Sequence, residues 1–292
     1  MRPPCDRHAT VMRPLCNKII DIKIKDLITL ARFCSLFSSS SGNCTYVGSS
    51  TDGILIDAGV SAKRIKQALT DRQLDPASLR AIFVTHEHAD HINGIRVLAS
   101  QYKIPVYATA GTLKGMEEAK VLNGKFPYSE ISPDGNECGG LFVKPFKTPH
   151  DSYESCGYVI TLPDGRKAAV ATDIGHITNE IMNHLVGCEL VMLESNHDVG
   201  MLENGAYPYY LKRRILSGTG HLSNEDCSVA AAQLIERGTT RLFLGHLSAE
   251  NNMPALAYQT SLTAIGETGA KIGSDYLLTV NPKENLEDIV RF

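Results

Sequence analysis

The residues best suited to chemistry in this 292-residue chain fall in one short segment, which reads Thr85-His86-Glu87-His88-Ala89-Asp90-His91. Four of its side chains are potential metal ligands: His86, His88, Asp90 and His91. Three imidazoles placed so closely repel one another when protonated, and they are costly to bury without partners. A divalent cation resolves the conflict, because it binds neutral imidazole nitrogen and carboxylate oxygen together. A histidine-rich surface turn is the alternative, but the density of ligands predicts a metal site.

Further potential ligands follow apolar runs that have the composition of strands. His150 comes shortly after the run that ends at Phe146, Asp173 follows the run 167–171, and His246 follows the run 241–245. Loops at strand ends are where rigid scaffolds place reactive groups. Each residue alone fits a turn that ends a strand. Together with the opening segment, the ordered series predicts a larger ligand set.

The series His86-x-His88-x-Asp90-His91, His150, Asp173, His246 resembles the ligand set of the metallo-β-lactamase superfamily. The resemblance implies a four-layer αββα sandwich of the α+β or α/β class, with two mixed β-sheets flanked by helices. It also implies two divalent metal ions per chain. One ion would be held by His86, His88 and His150, the other by Asp90, His91 and His246, with Asp173 between them. Zn²⁺, Mn²⁺, Fe²⁺ and Ni²⁺ are all compatible with such ligands, and the first two are the expected ions.

A narrower resemblance, to the bacterial YycJ/WalJ branch of that superfamily, covers nearly all of residues 31–260. It is carried by the segments Ser38–Cys44, Leu193–Asp198, Leu211–Ile215, Gly220–Asn224 and His246–Asn252. The branch consists of DNA exonucleases acting from the 5′ end, so the resemblance implies an exodeoxyribonuclease with DNA as its substrate. The chain departs from the branch in its first 30 residues and at His176, where a tyrosine is expected.

The expected mechanism is hydrolysis by a hydroxide bound to the two metals, which also clamp the phosphate of an in-line displacement. Asp90 and Asp173 would orient this nucleophile as ligands. The leaving oxygen needs a proton, and imidazole is the natural donor near neutral pH. His221 is the candidate, because it follows Gly218-Thr219-Gly220 and resembles in position a catalytic histidine of tRNase Z-like relatives. Glu194 or Asp198 would fix the tautomer of His221. A cap-region role at the start of the next helix is the alternative for His221.

Several residues around this set have two interpretations. The loop 38–43 would either offer backbone N–H groups to a phosphate or form a tight hairpin beside the site. The cluster 212–214 would be either a phosphate track or a solvated helix face. Tyrosines 207, 209 and 210 would either stack on bases or pack in the core. His197 is open between substrate contact and structural use, whereas His8 and His184 are expected to be structural or incidental.

Two other function classes compete with the exonuclease. A hydrolase of a small substrate, such as a cyclic phosphodiester, lactone or thioester, would use the same fold and metals, because function resides in the site periphery. A regulatory binding protein that has lost catalysis would be expected to have lost ligands. The complete ligand series therefore favours an enzyme.

The amino-acid composition limits the classes of protein to which this chain can belong. The chain has 43% apolar and 21% charged residues and a net charge of −3, which is ordinary for a globular protein and argues against a generally basic nucleic-acid binder. No apolar run approaches the roughly 20 residues of a membrane span, so no membrane partner is expected. Eight cysteines without CxxC pairing indicate a reducing cytoplasm. The oligomeric state is left open between monomer and homodimer.

The elements that must position the ligands are predicted from hydrophobic periodicity. Strands are expected at 31–37, 45–48, 53–57, 80–85, 141–146, 156–162, 167–171, 189–194 and 241–245. Helices are expected at 62–71, 94–101, 111–119, 207–216, 224–236 and 255–265, with Ser223 as an N-cap. Early strands follow one another closely and later ones alternate with helices, which favours mixed sheets. Residues 1–30 are expected to be a loosely ordered extension, and residues 31–292 a single metallo-β-lactamase-fold domain.

Overall fold

A computed structural model of the protein describes residues 31–49, 51–285 and 289–292, so the predicted N-terminal extension lies outside the described residues. The first part of the chain forms β1 (Arg32–Phe37), β2 (Cys44–Gly48), β3 (Gly53–Ile56), α1 (Ala62–Asp71), β4 (Leu79–Phe83), α2 (Ala89–Ile92), α3 (Ile95–Tyr102), β5 (Val106–Ala108), α4 (Ala110–Glu118) and β6 (Tyr128–Glu130).

The second part forms β7 (Asn136–Cys138), β8 (Leu141–Lys147), β9 (Cys156–Thr161), β10 (Lys167–Ala171), α5 (Asn179–Leu185), β11 (Leu190–Glu194), α6 (Val199–Asn204), α7 (Tyr209–Ile215), α8 (Asn224–Glu236), β12 (Arg241–Gly245), α9 (Pro254–Glu267), β13 (Leu277–Val280) and β14 (Val290–Arg291).

These strands form two sheets of seven strands each. The first has the order β14-β1-β2-β3-β4-β5-β6 and the second the order β13-β12-β11-β10-β9-β8-β7. Both are mixed. In the first sheet β1, β2 and β3 pair antiparallel, whereas β3 to β6 run parallel. In the second sheet β7 to β10 pair antiparallel, whereas β10 to β13 run parallel.

Alternating side chains divide the core into layers, because successive residues of a strand point to opposite faces. Met192 of β11 packs in the cluster between the two sheets, whereas its neighbour Leu193 packs against the outer helices. Ile54 and Leu55 of β3 divide in the same way. Apolar residues of α1, α3 and α4 cover the first sheet, and those of α5, α8 and α9 cover the second. The predicted αββα sandwich is therefore confirmed.

The parallel strands bring the predicted site residues to one edge of the second sheet. In the registers of β10, β11 and β12, Ala171 lies opposite Leu193, and Glu194 lies opposite Gly245. The carboxyl ends of parallel strands meet at the same edge, where ligands of open α/β sheets bind. The loops that carry Asp173 and His246 therefore leave the sheet side by side, beside Glu194.

Most predicted elements are confirmed, and two helices have the predicted bounds. These are α1 and α8, and the Oγ of Ser223 accepts a hydrogen bond from the N–H of Asp226 at 3.0 Å, as an N-cap does. The elements that the sequence analysis missed are β5, β6, β7, β13, β14, α2, α5 and α6. Each missed strand has four residues or fewer, too few for a period of two to be recognised.

Two further observations concern the predictions about membrane spans and cysteines. Among the described helices, none is both long and apolar enough to cross a membrane. The six described cysteines are free thiols, and five of them are buried as small apolar side chains.

Candidate metal centre

Three histidines from two loops converge on one point. His86 and His88 lie between β4 and α2, and His150 lies in the loop after β8. Nε2 of His86 is 3.0 Å from Nδ1 of His88, and Nε2 of His150 is 3.4 Å from the same Nδ1. Such a cluster of imidazole nitrogens is the arrangement that a divalent cation binds. The three residues predicted to hold one metal are thus brought together.

A second group lies beside the first. Nε2 of His91 is 3.5 Å from Oδ2 of Asp90, and Nε2 of His246 is 3.7 Å from that same oxygen. Asp173 lies between the two groups, with Oδ2 3.3 Å from Nε2 of His91 and Oδ1 3.7 Å from Nε2 of His150. The structure therefore collects all seven predicted ligands at one edge of the sandwich.

Two buried donor atoms show that this set fits metal ions. Oδ2 of Asp173 and Nε2 of His246 are shielded from solvent and have no hydrogen-bond partner among the described residues. An unsatisfied buried polar atom costs about 1–3 kcal/mol. Both atoms point at the neighbouring ligands, so a divalent cation would satisfy them. The chemistry of the donors, imidazole nitrogen and carboxylate oxygen, suits zinc, manganese, iron and nickel alike.

The hydrogen bonds on the outer side of the imidazoles fix their tautomers. Nδ1–H of His150 donates to the carbonyl oxygen of Gly220 at 3.0 Å. Nδ1–H of His246 donates to Glu194 at 2.6 Å, and Nδ1–H of His91 donates to Asp57 at 2.8 Å. In the neutral form that binds a metal, each of these rings carries its proton on Nδ1, so Nε2 is left to face the centre.

Asp57 is a residue of the site that the sequence analysis missed, because the sequence predicts it only as the end of a strand. Its buried carboxylate accepts hydrogen bonds from the N–H and hydroxyl of Thr85 at 2.8 and 2.9 Å, besides the one from His91. Asp57 therefore orients a predicted ligand without belonging to the ligand cluster itself. An aspartate directly after an apolar strand, in Ile56-Asp57-Ala58, was the available indication.

Three residues of the site have left-handed backbone conformations. Asp57, Asp173 and His246 have φ of 62°, 59° and 57°, and each lies within two residues of the end of β3, β10 or β12. Left-handed conformations cost non-glycine residues roughly 1–3 kcal/mol and persist where the surroundings impose them. The turns thus direct these side chains into the site, and aspartate and histidine are among the non-glycine residues that adopt this conformation most often.

Glu194 connects the second group with His221. Its Oε1 lies 2.6 Å from Nδ1 of His246 and 2.9 Å from Nδ1 of His221. Its Oε2 accepts hydrogen bonds from the N–H groups of Ile174 and Leu222 at 2.7 and 3.1 Å. Burial alone would raise the pKa of Glu194, but its contacts with His221 and His246 outweigh that effect and hold the pKa well below its usual value. Glu194 is therefore an ionised carboxylate with four contacts.

Of the hydrogen-bonded pair Glu194 and His221, only His221 is accessible to solvent. Its side chain is 17% exposed, whereas that of Glu194 is fully buried. The backbone N–H of His221 donates to the carbonyl of Ile215 at the end of α7. Gly220 permits this turn, since a Cβ there would lie only 2.1 Å from the same carbonyl oxygen. With Nδ1–H donated to Glu194, Nε2 is the nitrogen of His221 left for chemistry.

Burial and neighbouring charges shift the pKa values of the histidines in the centre in opposite directions. Burial, followed by the neighbouring imidazoles, holds the pKa of His86 well below its usual value. For His246 the penalty of burial is outweighed by Asp173, Asp90 and Glu194, which raise its pKa to about 10. The pKa of His91 is also raised, because Asp173 and Asp57 outweigh burial. In the absence of metal, His91 and His246 are therefore cationic at neutral pH.

We expect metal binding to the metal-free protein to release protons. His91 and His246 must lose a proton before they can ligate, so at about pH 8 binding should release roughly one to two protons, and the affinity should rise with pH. Calorimetric titration in buffers of different ionisation enthalpy measures this number, and His246→Ala should release fewer protons than the parent chain. Heats that do not depend on the buffer would contradict the charge states described above.

The loop 38–43 supports the ligands and does not form an open array of donors. Its backbone N–H groups at five of six positions donate within the protein, namely Ser38, Ser39, Ser41, Gly42 and Asn43. The Oγ of Ser38 accepts from the N–H of His246 at 2.8 Å, and Nδ2 of Asn43 lies 3.0 Å from Nε2 of His91. The tight-hairpin interpretation is therefore favoured over phosphate binding by these N–H groups.

His8 lies outside the described residues, and the other three histidines do not belong to the ligand cluster. His197 is buried, burial lowers its pKa to about 4, and neither ring nitrogen has a hydrogen-bond partner among the described residues, so the two interpretations of His197 stay open. His176 is exposed, and its Nδ1–H donates at 2.8 Å to the carbonyl of Gly218, in the loop leading to His221. His184 stacks on Phe146 with ring centroids 5.3 Å apart, in agreement with a structural role.

Comparison with known proteins places these features in a family. The family model of the beta-lactamase superfamily domain matches residues 53–247. Exodeoxyribonuclease YycJ of Bacillus anthracis is 38% identical over 248 residues, which cover 84% of this chain and 92% of that relative. Exodeoxyribonuclease WalJ of Streptococcus pneumoniae serotype 2 is 36% identical over 249 residues, with the same coverage of 84% and 92%.

A known crystal structure has a similar fold. The crystal structure of the metallo-beta-lactamase fold protein YhfI from Bacillus subtilis matches with a TM-score of 0.66 and covers 90% of this chain and 100% of that chain. Its sequence identity is 14%, so the likeness is one of fold. The family match over residues 53–247 spans the loops that carry the two histidine and aspartate groups.

Proposed function

Since the chain belongs to the beta-lactamase superfamily, within the branch of the YycJ and WalJ exodeoxyribonucleases, we propose that it is a metal-dependent exodeoxyribonuclease. The branch predicted from the sequence motifs is confirmed by these relatives. We further propose that the enzyme uses two divalent metal ions and removes nucleotides from the 5′ end of DNA, which is the polarity that the sequence resemblance implies.

The residues that would hold the metals are those of the two groups. His86, His88 and His150 would hold one ion, and Asp90, His91 and His246 the other, with the two oxygens of Asp173 facing both groups. When bound, the metals supply Lewis acidity toward the phosphate and ionise water near neutral pH. The protein keeps the donors in place through the outer contacts of Asp57, Glu194 and the Gly220 carbonyl.

The Glu194–His221 pair is the observation that carries the proposal. Cleavage of a phosphodiester expels a sugar alkoxide, which needs a proton, whereas a thioester expels a thiolate that does not. His221 has its Nδ1–H fixed by Glu194 at 2.9 Å, and its Nε2 is left for the substrate side. We assign to that Nε2 the proton delivered to the leaving oxygen, and to Glu194 the orientation of the ring.

End-labelled oligonucleotides provide the direct test. Single- and double-stranded DNA carrying 5′ or 3′ labels should be incubated with metal-free protein and with Zn²⁺, Mn²⁺, Fe²⁺ or Ni²⁺ in turn. We expect release of the 5′ label first, only with added metal, and inhibition by a chelator. Hydrolysis of a lactone, thioester or cyclic phosphodiester without release of nucleotides from DNA would replace the proposal with the small-substrate alternative.

A further inference from the structure

Two neighbouring tyrosines on α7 project into solvent. Tyr209 and Tyr210 are 75% and 74% exposed, the highest values among the large apolar side chains of the described residues. Ile215 is the buried residue of this helix and anchors it to the protein. Burying an aromatic ring is strongly favourable, so two adjacent rings left in water indicate a surface that meets a partner. Core packing, one of the two interpretations of the tyrosines, is therefore wrong for Tyr209 and Tyr210, whereas Tyr207 is half-buried.

The helix is joined to the rim of the metal centre. The guanidinium of Arg214 pairs with the carboxylate of Asp151, with Nη2 3.0 Å from Oδ1, and Asp151 directly follows the candidate ligand His150. At its C-terminal end, α7 receives the hydrogen bond from the backbone of His221. The tyrosines and the candidate proton donor thus sit on one short, continuous segment.

The two tyrosine rings lie on the same faces of α7 as basic side chains. Residues four apart lie on the same face of a helix, so Tyr209 neighbours Arg213 and Tyr210 neighbours Arg214. The charge of Arg214 is offset by Asp151. Arg213 is exposed and has no ion pair within the described ranges, and the ammonium group of Lys212 donates only to the backbone carbonyl of Glu203. Two positive charges beside the rings are therefore not neutralised by a carboxylate.

We infer that α7 is a docking surface for unpaired DNA: Tyr209 and Tyr210 stack on bases next to the scissile phosphate, while Lys212 and Arg213 attract the backbone phosphates. The inference rests on the proposed exonuclease function and specifies its substrate as a single-stranded or frayed end. Exposed aromatic rings with adjacent cations suit single strands, because the faces of paired bases are already stacked in a duplex. The positive charge complements phosphate and makes binding depend on salt.

The test compares two substrates in the metal-loaded full-length protein. Tyr209→Ala/Tyr210→Ala should raise the KM for 5′-phosphorylated single-stranded DNA by about 10-fold or more, since each stacked base contributes on the order of 1–3 kcal/mol. The rate on bis(p-nitrophenyl) phosphate, a small phosphodiester, should stay unchanged. The double Tyr→Phe variant keeps the rings and should keep the parental KM. Tyr128→Ala, on edge strand β6, is the control for loss of an exposed tyrosine.

Arg213→Gln tests the phosphate part separately. The slope of log KM against log salt for single-stranded DNA should become shallower by about 0.7, the value for one phosphate contact. Arg237→Gln is the matched control, because Arg237 is exposed at the far end of α8, about 20 Å from the start of that helix beside the site. A slope that both variants change equally would overturn the assignment to Arg213.

The outcomes separate this inference from the proposed function. Parental KM values for single-stranded DNA in the Tyr→Ala variant, with DNA hydrolysis intact, would overturn the docking surface alone. An equal loss on DNA and on the small phosphodiester, or a change from dimer to monomer in light scattering, would also overturn it. A parent chain that hydrolyses the small phosphodiester but never DNA would remove both the docking surface and the exonuclease.

Discussion

Replacing Asp173 by alanine should reduce DNA hydrolysis by at least about 10³-fold, more than the 10–100-fold typical of residues that only orient ligands. The two oxygens of Asp173 are the donors that face both histidine groups, at 3.3 Å from His91 and 3.7 Å from His150. The loss therefore affects both metal positions at once. Nucleotide release from end-labelled DNA, together with metal content by mass spectrometry, measures the effect.

The fold of the Asp173→Ala variant should survive, because Oδ2 of this residue has no hydrogen-bond partner among the described side chains and backbone. Far-ultraviolet circular dichroism of the metal-free variant should match that of the metal-free parent. His88→Ala is a companion variant with the same expected loss of DNA hydrolysis. Its fold should also survive, since the His88 side chain makes no capping bond to α2. Asp134→Ala, at an exposed turn, is the inert control. Substantial activity in Asp173→Ala would show that the two groups do not act through a shared carboxylate.

His221→Ala should slow DNA hydrolysis by roughly 10²–10⁴-fold, the span usual for loss of a general acid, with metal content unchanged. The alanine cannot protonate the departing sugar oxygen. It should have a much smaller effect on bis(p-nitrophenyl) phosphate, whose nitrophenolate leaves without a proton. Comparing the two substrates therefore distinguishes loss of a proton donor from general damage to the site.

The competing role for His221 is that of a metal ligand, because its ring nitrogens lie within reach of Asp173, Glu194 and His246. In that case His221→Ala would lose metal and would lose activity on both substrates equally. His176→Ala is the matched control, since that imidazole is exposed in the adjoining loop and, among the described residues, hydrogen-bonds to the Gly218 carbonyl alone. We expect it to retain parental rates.

The ligand cluster could be predicted from sequence because most of its information is local. Four ligands, His86, His88, Asp90 and His91, lie within six residues, and each of the other three follows a recognisable apolar strand. Strand ends are sites of function in many folds, so the positions were informative before any contact was known. The central strands were predicted for the same reason, since long apolar runs are the clearest local pattern.

Contacts between distant residues could not be predicted in this way. Asp57 reaches His91 across 34 positions, and no local pattern records a contact over that distance. The exposure of Tyr209 and Tyr210 was equally hidden, because a tyrosine in a helix suits a core as well as a surface. The short strands β5, β6 and β7 have three residues each, and their pairing is imposed by the neighbouring strands.

The division of the ligands between the two sheets has a consequence for stability. His86, His88 and His91 follow a strand of the first sheet, whereas His150, Asp173 and His246 follow strands of the second. Metals held by both sets would act as a reversible cross-link between the two halves of the sandwich. Their binding free energy would then add to the free energy of unfolding, by about 2.7 kcal/mol per site when free metal exceeds its Kd a hundredfold. The resistance of this protein to denaturation would therefore follow the supply of metal around it.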